Sequence, residues 1–100
     1  MAPDRRVVRV DPSFFDQLDE QLGQDRGPSG EPSATDFLVL DLPTIVDQFA
    51  VAFDDLPEVI EGTPTARMLV GTGRLVHAFV VYGLLAHDGG VDLIWIDIDP

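Results

Sequence analysis

The N-terminal part of the chain changes from an alternating pattern to a helical one. Arginine and valine alternate through Arg5–Val10, which predicts a short strand near a sheet edge with its arginines toward water. Apolar residues then recur at helical spacing, at Phe14, Leu18 and Leu22. Asp11 and Pro12 are typical of an N-cap followed by proline in the first turn, and Gly23 is a typical stop. The pattern predicts a strand and then a helix that begins at Pro12 and stops at Gly23.

The middle of the chain shows a loop pattern and then a second amphipathic pattern. Residues 23–35 are rich in glycine, proline and polar groups without periodicity, which predicts a flexible loop. From Asp36 to Phe53 the apolar residues fall on one helical face. A mid-helix proline costs about 3 kcal/mol, so Pro43 predicts either a kink or a helix that begins near Asp41. In both cases we expect one long amphipathic helix.

The last third of the chain is made of β-branched and aromatic runs. These runs are Arg67–Gly71, Leu75–Ala86 and Val91–Ile98, separated by the turn sequences Thr72–Gly73 and His87–Gly90. They predict a three-stranded antiparallel meander. The chain as a whole, residues 1–100, is then one α+β domain of strand, helix, helix and meander, with both helices on one face of the sheet.

The predicted middle strand is apolar on both of its faces. Phe79 and Val81 belong to one alternating set, and Val80 and Tyr82 belong to the other. A strand of this kind is expected to be covered on both faces. We expect the helices to cover one face and a second copy of the chain or a bound protein partner to cover the other.

The charge of the chain excludes several classes of partner. Eighteen Asp and Glu against six Lys and Arg give a formal net charge of -12, while 45% of the residues are hydrophobic, as in a folded protein. Such an anion repels phosphate, which disfavours general nucleic-acid binding and anionic membranes. All the basic residues are arginine, so no lysine can serve as a base or phosphate anchor. The acidity is typical of a solubility device, or of a surface that attracts a basic partner.

Cysteine usage and hydropathy favour a cytoplasmic location. The absence of cysteine excludes disulfides, thiolate nucleophiles and zinc-thiolate sites. The first ten residues contain no apolar run typical of a secretory signal. The most apolar stretch, Leu75–Ala86, is too short to span a bilayer, which takes about 20 residues.

The segment Arg67–His77 resembles the central hairpin of the RelE/ParE superfamily, the toxins of bacterial toxin-antitoxin pairs. The positions that match are Arg67, Gly71 and Arg74. Three positions depart from the family pattern, in which Leu69 is usually basic, Gly73 aromatic and His77 a tyrosine. The resemblance implies a RelE/ParE-like fold with the element order predicted above. It makes Arg67, Arg74 and His77 the candidate functional residues.

The resemblance is closer to the ParE branch, which acts by binding DNA gyrase, than to the branch that cleaves messenger RNA. Members of the cleaving branch hold phosphate with arginine and lysine, and use a C-terminal tyrosine, histidine or glutamate as acid or base. This chain ends in Trp95–Pro100, where Asp97 and Asp99 would oppose a developing negative charge. We therefore expect a protein without nuclease activity.

Other titratable clusters predict no catalytic or metal site. His77 lies on an apolar strand, where a hydrogen-bonded core or interface histidine is more common than a base. His87 and Asp88 lie in a predicted turn and are expected to be solvated. Asp97 and Asp99 share one face of the last strand and could ligate Mg²⁺ or Ca²⁺, but a solubilising strand end is the favoured interpretation. No cofactor is predicted.

These observations favour a non-nuclease, RelE/ParE-like toxin-fold protein that acts by protein–protein binding, either as the toxin of a toxin-antitoxin pair or with another partner. The alternative is an acidic interaction or DNA-mimic module without catalytic activity, dimeric through its doubly apolar sheet.

Overall fold

The computed structural model describes residues 5–22, 33–73 and 76–99. Its helices and strands, in chain order, are β1 (Val8–Val10), α1 (Pro12–Leu22), α2 (Ala34–Leu40), α3 (Leu42–Ala52), β2 (Ala66–Gly71), β3 (Ala78–Leu85) and β4 (Val91–Asp99). A 3-10 turn, Phe53–Asp55, follows α3. The fold is α+β, as the sequence predicts.

Helix α1 has the bounds that its capping residues predict. It begins at Pro12 and ends at Leu22, directly before Gly23. The Asp11 carboxylate accepts hydrogen bonds from the backbone N–H of Ser13 at 2.9 Å and from its hydroxyl at 2.8 Å. The N–H of Ser13 holds the pKa of Asp11 below its ordinary value, and the hydroxyl adds to this effect. An N-terminal carboxylate thus fixes where the helix starts.

The predicted long helix is two short helices. α2 ends at Leu40 and α3 begins at Leu42, with Pro43 in the first turn of α3. Proline lacks the N–H that a continuous helix requires and its ring clashes with the preceding turn, so the helix breaks at Asp41. A start near Asp41 is therefore the correct alternative for α3, and the separate helix α2 is what the prediction missed.

The end of the loop predicted over residues 23–35 is the start of helix α2. Residues 23–32 lie outside the described part of the chain. Ser33 is the N-cap of α2. Its hydroxyl accepts a hydrogen bond from the backbone N–H of Asp36, and the Asp36 carboxylate accepts one from the backbone N–H of Ser33, both at 3.1 Å. This reciprocal cap starts helical structure where the sequence analysis places a loop.

The sheet is four-stranded and mixed, in the order β1-β4-β3-β2. β3 pairs antiparallel with both β2 and β4, whereas β1 pairs in parallel with β4, with Val8 opposite Val91. A three-stranded antiparallel sheet is therefore not the full description, because β1 adds a parallel edge strand. Parallel neighbours need a long crossover connection, and the chain between β1 and β4 supplies it.

The connection between β2 and β3 is longer than the predicted turn at Thr72–Gly73. β2 ends at Gly71 and β3 begins at Ala78, so residues 72–77 join them. Within this connection the N–H of Gly73 donates to the carbonyl of Val76 at 3.2 Å.

The helices pack on one face of the sheet and form one buried cluster with it. Its fully buried members include Phe14, Leu18, Phe37, Ile45 and Phe49 from the helices and Val81, Val91, Leu93 and Ile96 from the strands. Gly83 lies directly beneath Phe49, where a Cβ atom would come within 2.6 Å of the ring. Only glycine leaves room for that ring, so this position sets how closely α3 approaches the sheet.

Candidate functional site

We call the sheet surface opposite the helices the outer face. Its side chains are Ala66, Met68 and Val70 from β2, Val80, Tyr82 and Leu84 from β3, and Asp92, Ile94, Trp95, Asp97 and Asp99 from β4. Val70 is 60% exposed, and Leu84 and Trp95 are each 40% exposed. No described helix lies over this surface. The prediction that the helices cover one face is correct, while the outer face remains open in the described chain.

The centre of the outer face is a cross-strand row of large side chains. Met68 lies opposite Tyr82, and Tyr82 lies opposite Trp95. The register shifts next to this row, because Gly83 pairs with Leu93 and so leaves Ile94 without a partner. A bulge of this kind re-aims side chains and increases the local twist. It brings both Ile94 and Trp95 to the outer face.

This row borders an apolar groove of about 360 Å³. The groove is lined by Val59, Ala66, Tyr82, Gly83, Leu84, Ile94 and Trp95. Aromatic and aliphatic side chains that surround an open concavity on a sheet are typical of a surface that binds another polypeptide.

Carboxylates extend from one end of the groove along β4. The indole N–H of Trp95 donates to Asp97 at 3.3 Å. Asp97 and Asp99 are exposed, and neither forms an ion pair with any described residue. Over the described ranges, no group of three or more metal-ligating side chains comes together. The outer face thus combines an apolar centre with an acidic end.

Parts of both sheet edges are hydrogen-bonded to other parts of the chain. Beyond the short strand β1, Gln21 of α1 accepts a hydrogen bond from the N–H of Ile98 at 2.6 Å and donates to the carbonyl of Ile96 at 2.7 Å. On the opposite edge, the N–H of Met68 donates to the carbonyl of Pro57 at 3.0 Å. These groups shield the Ile96–Ile98 part of one edge and the Ala66–Met68 part of the other from strand addition.

Arg67, the first of the residues suggested by the family resemblance, is engaged in holding the chain together. Its guanidinium donates to the carbonyls of Pro64 at 2.8 Å, Leu56 at 2.7 Å and Asp54 at 3.2 Å. Its side chain is 13% exposed and lies over the Phe53 ring, 5.7 Å from the centroid. With these donors in use, the geometry favours a structural role for Arg67 over phosphate binding.

Of the other two candidates, only His77 lies within the described residues, and it is far from Arg67. Arg74 lies outside the described residues. His77 is exposed, and its backbone N–H donates to the carbonyl of Asp99 at 2.9 Å. Arg67 pairs with Gly83 near the other end of β3, about 20 Å from His77 at the usual rise of a strand.

The N-terminal arginines form ion pairs with acids from later elements. Arg9 binds Asp88 at 2.8 Å and Asp92 at 2.7 Å, Arg6 binds Asp54 at 3.3 Å, and Arg5 binds Asp47.

The Arg9 guanidinium and the N–H of Gly90 lower the pKa of Asp88 from 3.8 to about 2. The hydrogen bond to Asp88 and then that to Asp92 raise the pKa of Arg9. Asp88 is thus exposed, as expected of a turn residue, and is also ion-paired, which the sequence analysis missed.

Within the described ranges, the longest and most apolar helices still fall short of what a membrane crossing requires. Comparison with family models, with curated proteins and with solved structures gives no match for this chain.

Proposed function

We propose that this chain is a protein-interaction module that binds its partner through the outer face of its sheet. The observation that carries the proposal is the open apolar groove beside Tyr82 and Trp95. Tyrosine and tryptophan are enriched among the residues that contribute most to binding energy at protein interfaces. Their amphipathic rings provide large contact area with little loss of conformational freedom.

Three further features support binding over catalysis. Two of the three guanidinium nitrogens of Arg67, Nε and Nη1, donate to backbone carbonyls and the side chain is only 13% exposed, so this residue is poorly placed to bind phosphate. The other positioned candidate, His77, lies about 20 Å away along β3. Parts of both sheet edges are already hydrogen-bonded, whereas Val70, Leu84 and Trp95 on the outer face are 40–60% exposed and can still bury apolar area.

A variant that removes the apolar character of the groove tests the proposal. Leu84→Gln places an amide in the groove, while Val39→Gln makes the same type of change on α2, where Val39 is 65% exposed. Affinity capture from a lysate of the source organism, with each variant and the unmodified chain as bait, should yield a protein that Val39→Gln retains and Leu84→Gln loses. If Leu84→Gln retained every captured protein while folded, the outer face would not be the binding surface.

The toxin function implied by the RelE/ParE resemblance is a second, narrower proposal for the same kind of activity. It rests on the matches at Arg67, Gly71 and Arg74. Expression of the chain alone in a bacterial host, with growth and DNA supercoiling followed, tests it. Growth arrest with altered supercoiling is the expected outcome for a gyrase-binding toxin, and unimpaired growth at confirmed folded expression contradicts it. The cytoplasmic location likewise stays a prediction.

A further inference from the structure

The charged side chains around the groove indicate which class of partner it binds. We infer that the outer face binds a cationic amphipathic polypeptide segment, with apolar side chains seated in the groove and lysine or arginine side chains against Asp97 and Asp99. This inference rests on the proposed function, since it names the partner class for the same surface.

The acidic end of the outer face is available for pairing. Asp97 and Asp99 alternate along β4 on the same side as Trp95, and both are exposed without an ion pair to the described residues. Asp92, on the same face, is already held by Arg9 at 2.7 Å. The two carboxylates that form no ion pair within the described part of the chain therefore lie at one end of the groove, where they give a bound segment a direction.

The dimensions suit a short segment. From Trp95 to Asp99 the strand covers about 13 Å at the usual rise, a distance that a helix covers in about nine residues. Apolar side chains on one helical stripe can then contact Leu84 and Trp95 while basic side chains one or two turns later reach Asp97 and Asp99. A cation near Trp95 is also attracted to the face of the indole ring.

A second copy of this chain is a poorer occupant. Each copy carries a net charge of -12, so contact between two outer faces sets acidic surfaces against each other. The four arginines among the described residues, Arg5, Arg6, Arg9 and Arg67, are already paired with acids of their own chain, Arg67 with Glu58 at 3.9 Å. None of these four is free to neutralise Asp97 or Asp99 of another copy.

A pair of synthetic peptides tests the inference on the full chain. One is an 18-residue amphipathic helix of leucine and lysine, and the other has glutamate in place of every lysine. Trp95 is the one tryptophan of the protein and borders the groove, so its fluorescence reports binding directly. We expect the lysine peptide to shift this emission with an affinity that falls as salt rises, and the glutamate peptide to cause no shift.

Because any cation is attracted to an acidic protein, the decisive variants change the same total charge at two places. Asp97→Asn with Asp99→Asn should weaken binding of the lysine peptide about 3- to 10-fold, as expected for two exposed ion pairs. Asp16→Asn with Asp19→Asn, on exposed positions of α1, should weaken it less than 2-fold. Leu84→Gln should weaken it by about 10-fold or more without changing the fold.

The other outcomes overturn the inference in distinguishable ways. Equal losses in the two double variants mean that only the net charge acts. Equal binding of both peptides with a loss in Leu84→Gln removes the cationic requirement but leaves the proposed function intact. A chain that sediments as a dimer, and as a monomer after Leu84→Gln, has a second copy as its occupant. A monomer that binds neither peptide contradicts the inference, and the capture experiment then decides the proposed function separately.

Discussion

The two faces of strand β3 carry similar residues in different surroundings. Phe79 and Val81 point toward the helices and are 7% and 0% exposed. Their neighbours Val80 and Tyr82 are half-buried, and Leu84 is 40% exposed. Apolar character alone therefore does not decide which side of a strand becomes the core. The decision depends on where the flanking helices can pack.

The difference also separates folding from binding. Apolar area removed from water stabilises the fold by about 25 cal/mol per Å². The inner face has already gained this stabilisation, whereas part of the outer face is still in contact with water and can gain it when a partner binds. Substitutions on the inner face should therefore change stability, and substitutions on the outer face should change binding.

The largest effect is expected from Phe49→Ala on the inner side. Phe49 is fully buried between α3 and the sheet, so its removal should lower the free energy of unfolding by about 3–5 kcal/mol. Phe15→Ala is the matched control, because Phe15 is 38% exposed, and it should cost less than about 1 kcal/mol. Urea unfolding of both variants measures the difference, and similar losses would show that the buried cluster is not centred on Phe49.

Gly83→Ala should also lower the free energy of unfolding, in this case because it adds a methyl group to the inner face instead of removing a ring. The new Cβ atom would meet Phe49 Cε1 at 2.6 Å and Val91 Cγ1 at 3.0 Å, which should cost about 1–3 kcal/mol. Combining it with Phe49→Leu should cost at least 0.5 kcal/mol less than the sum of the single variants, on the order expected for residues in contact. Strict additivity in thermal or urea unfolding would contradict the close approach of ring and strand.

Val81→Ala and Val80→Ala compare the two faces with the same substitution at adjacent positions. At about 0.8 kcal/mol per buried methylene-sized group, Val81→Ala should cost about 1.5 kcal/mol. Val80→Ala should cost about half of that or less, because its side chain is only partly removed from water. Chemical unfolding of the two variants gives the ratio, and a ratio near one would mean that the outer face is covered in the protein as it exists in solution.

The smallest effect is expected at Asp88, whose ion pair with Arg9 lies at the β1 end of the outer face. The folded-state pKa of about 2 is below the ordinary 3.8, so the unfolded chain takes up more protons as the pH falls. The stabilisation from this carboxylate is present above its ordinary pKa and is lost as the pH falls through the folded-state pKa of about 2. Asp88→Asn should therefore lie below the unmodified chain in stability at neutral pH and approach it as the pH falls through 2.

Thermal unfolding across this pH range checks the convergence, with Asp16→Asn as an exposed carboxylate control on α1. A gap between Asp88→Asn and the unmodified chain that stayed constant down to pH 2 would contradict the role of the Arg9–Asp88 pair.

Part of the site was predictable and part was not. The doubly apolar middle strand predicts that both faces of the sheet are covered, and the helices cover one of them; a partner on the other face stays a proposal. The groove itself depends on the bulge at Ile94, and the sequence pattern of β4 does not predict that bulge. The structural role of Arg67 was missed for the opposite reason: its carbonyl partners come from the preceding loop, and a side chain's partners cannot be derived from local spacing.

The sequence by itself determined the helix and strands whose ends are set by capping residues or by local residue patterns. Asp11, Pro12 and Gly23 set the bounds of α1. The alternating run placed β1 at a sheet edge, and the β-branched run Val91–Ile98 predicted β4, which ends one residue later at Asp99. These outcomes follow from capping, from the missing proline N–H and from strand alternation, which act within a few residues.

The tertiary structure decided what depends on distant groups. It paired β1 with β4 in parallel and placed Gln21 of α1 on the β4 edge. The packing of the helices also determined which apolar face of β3 is buried. The free-energy differences involved come from packing between segments far apart in sequence, so the same apolar pattern forms the core on one side of β3 and an open apolar surface on the other.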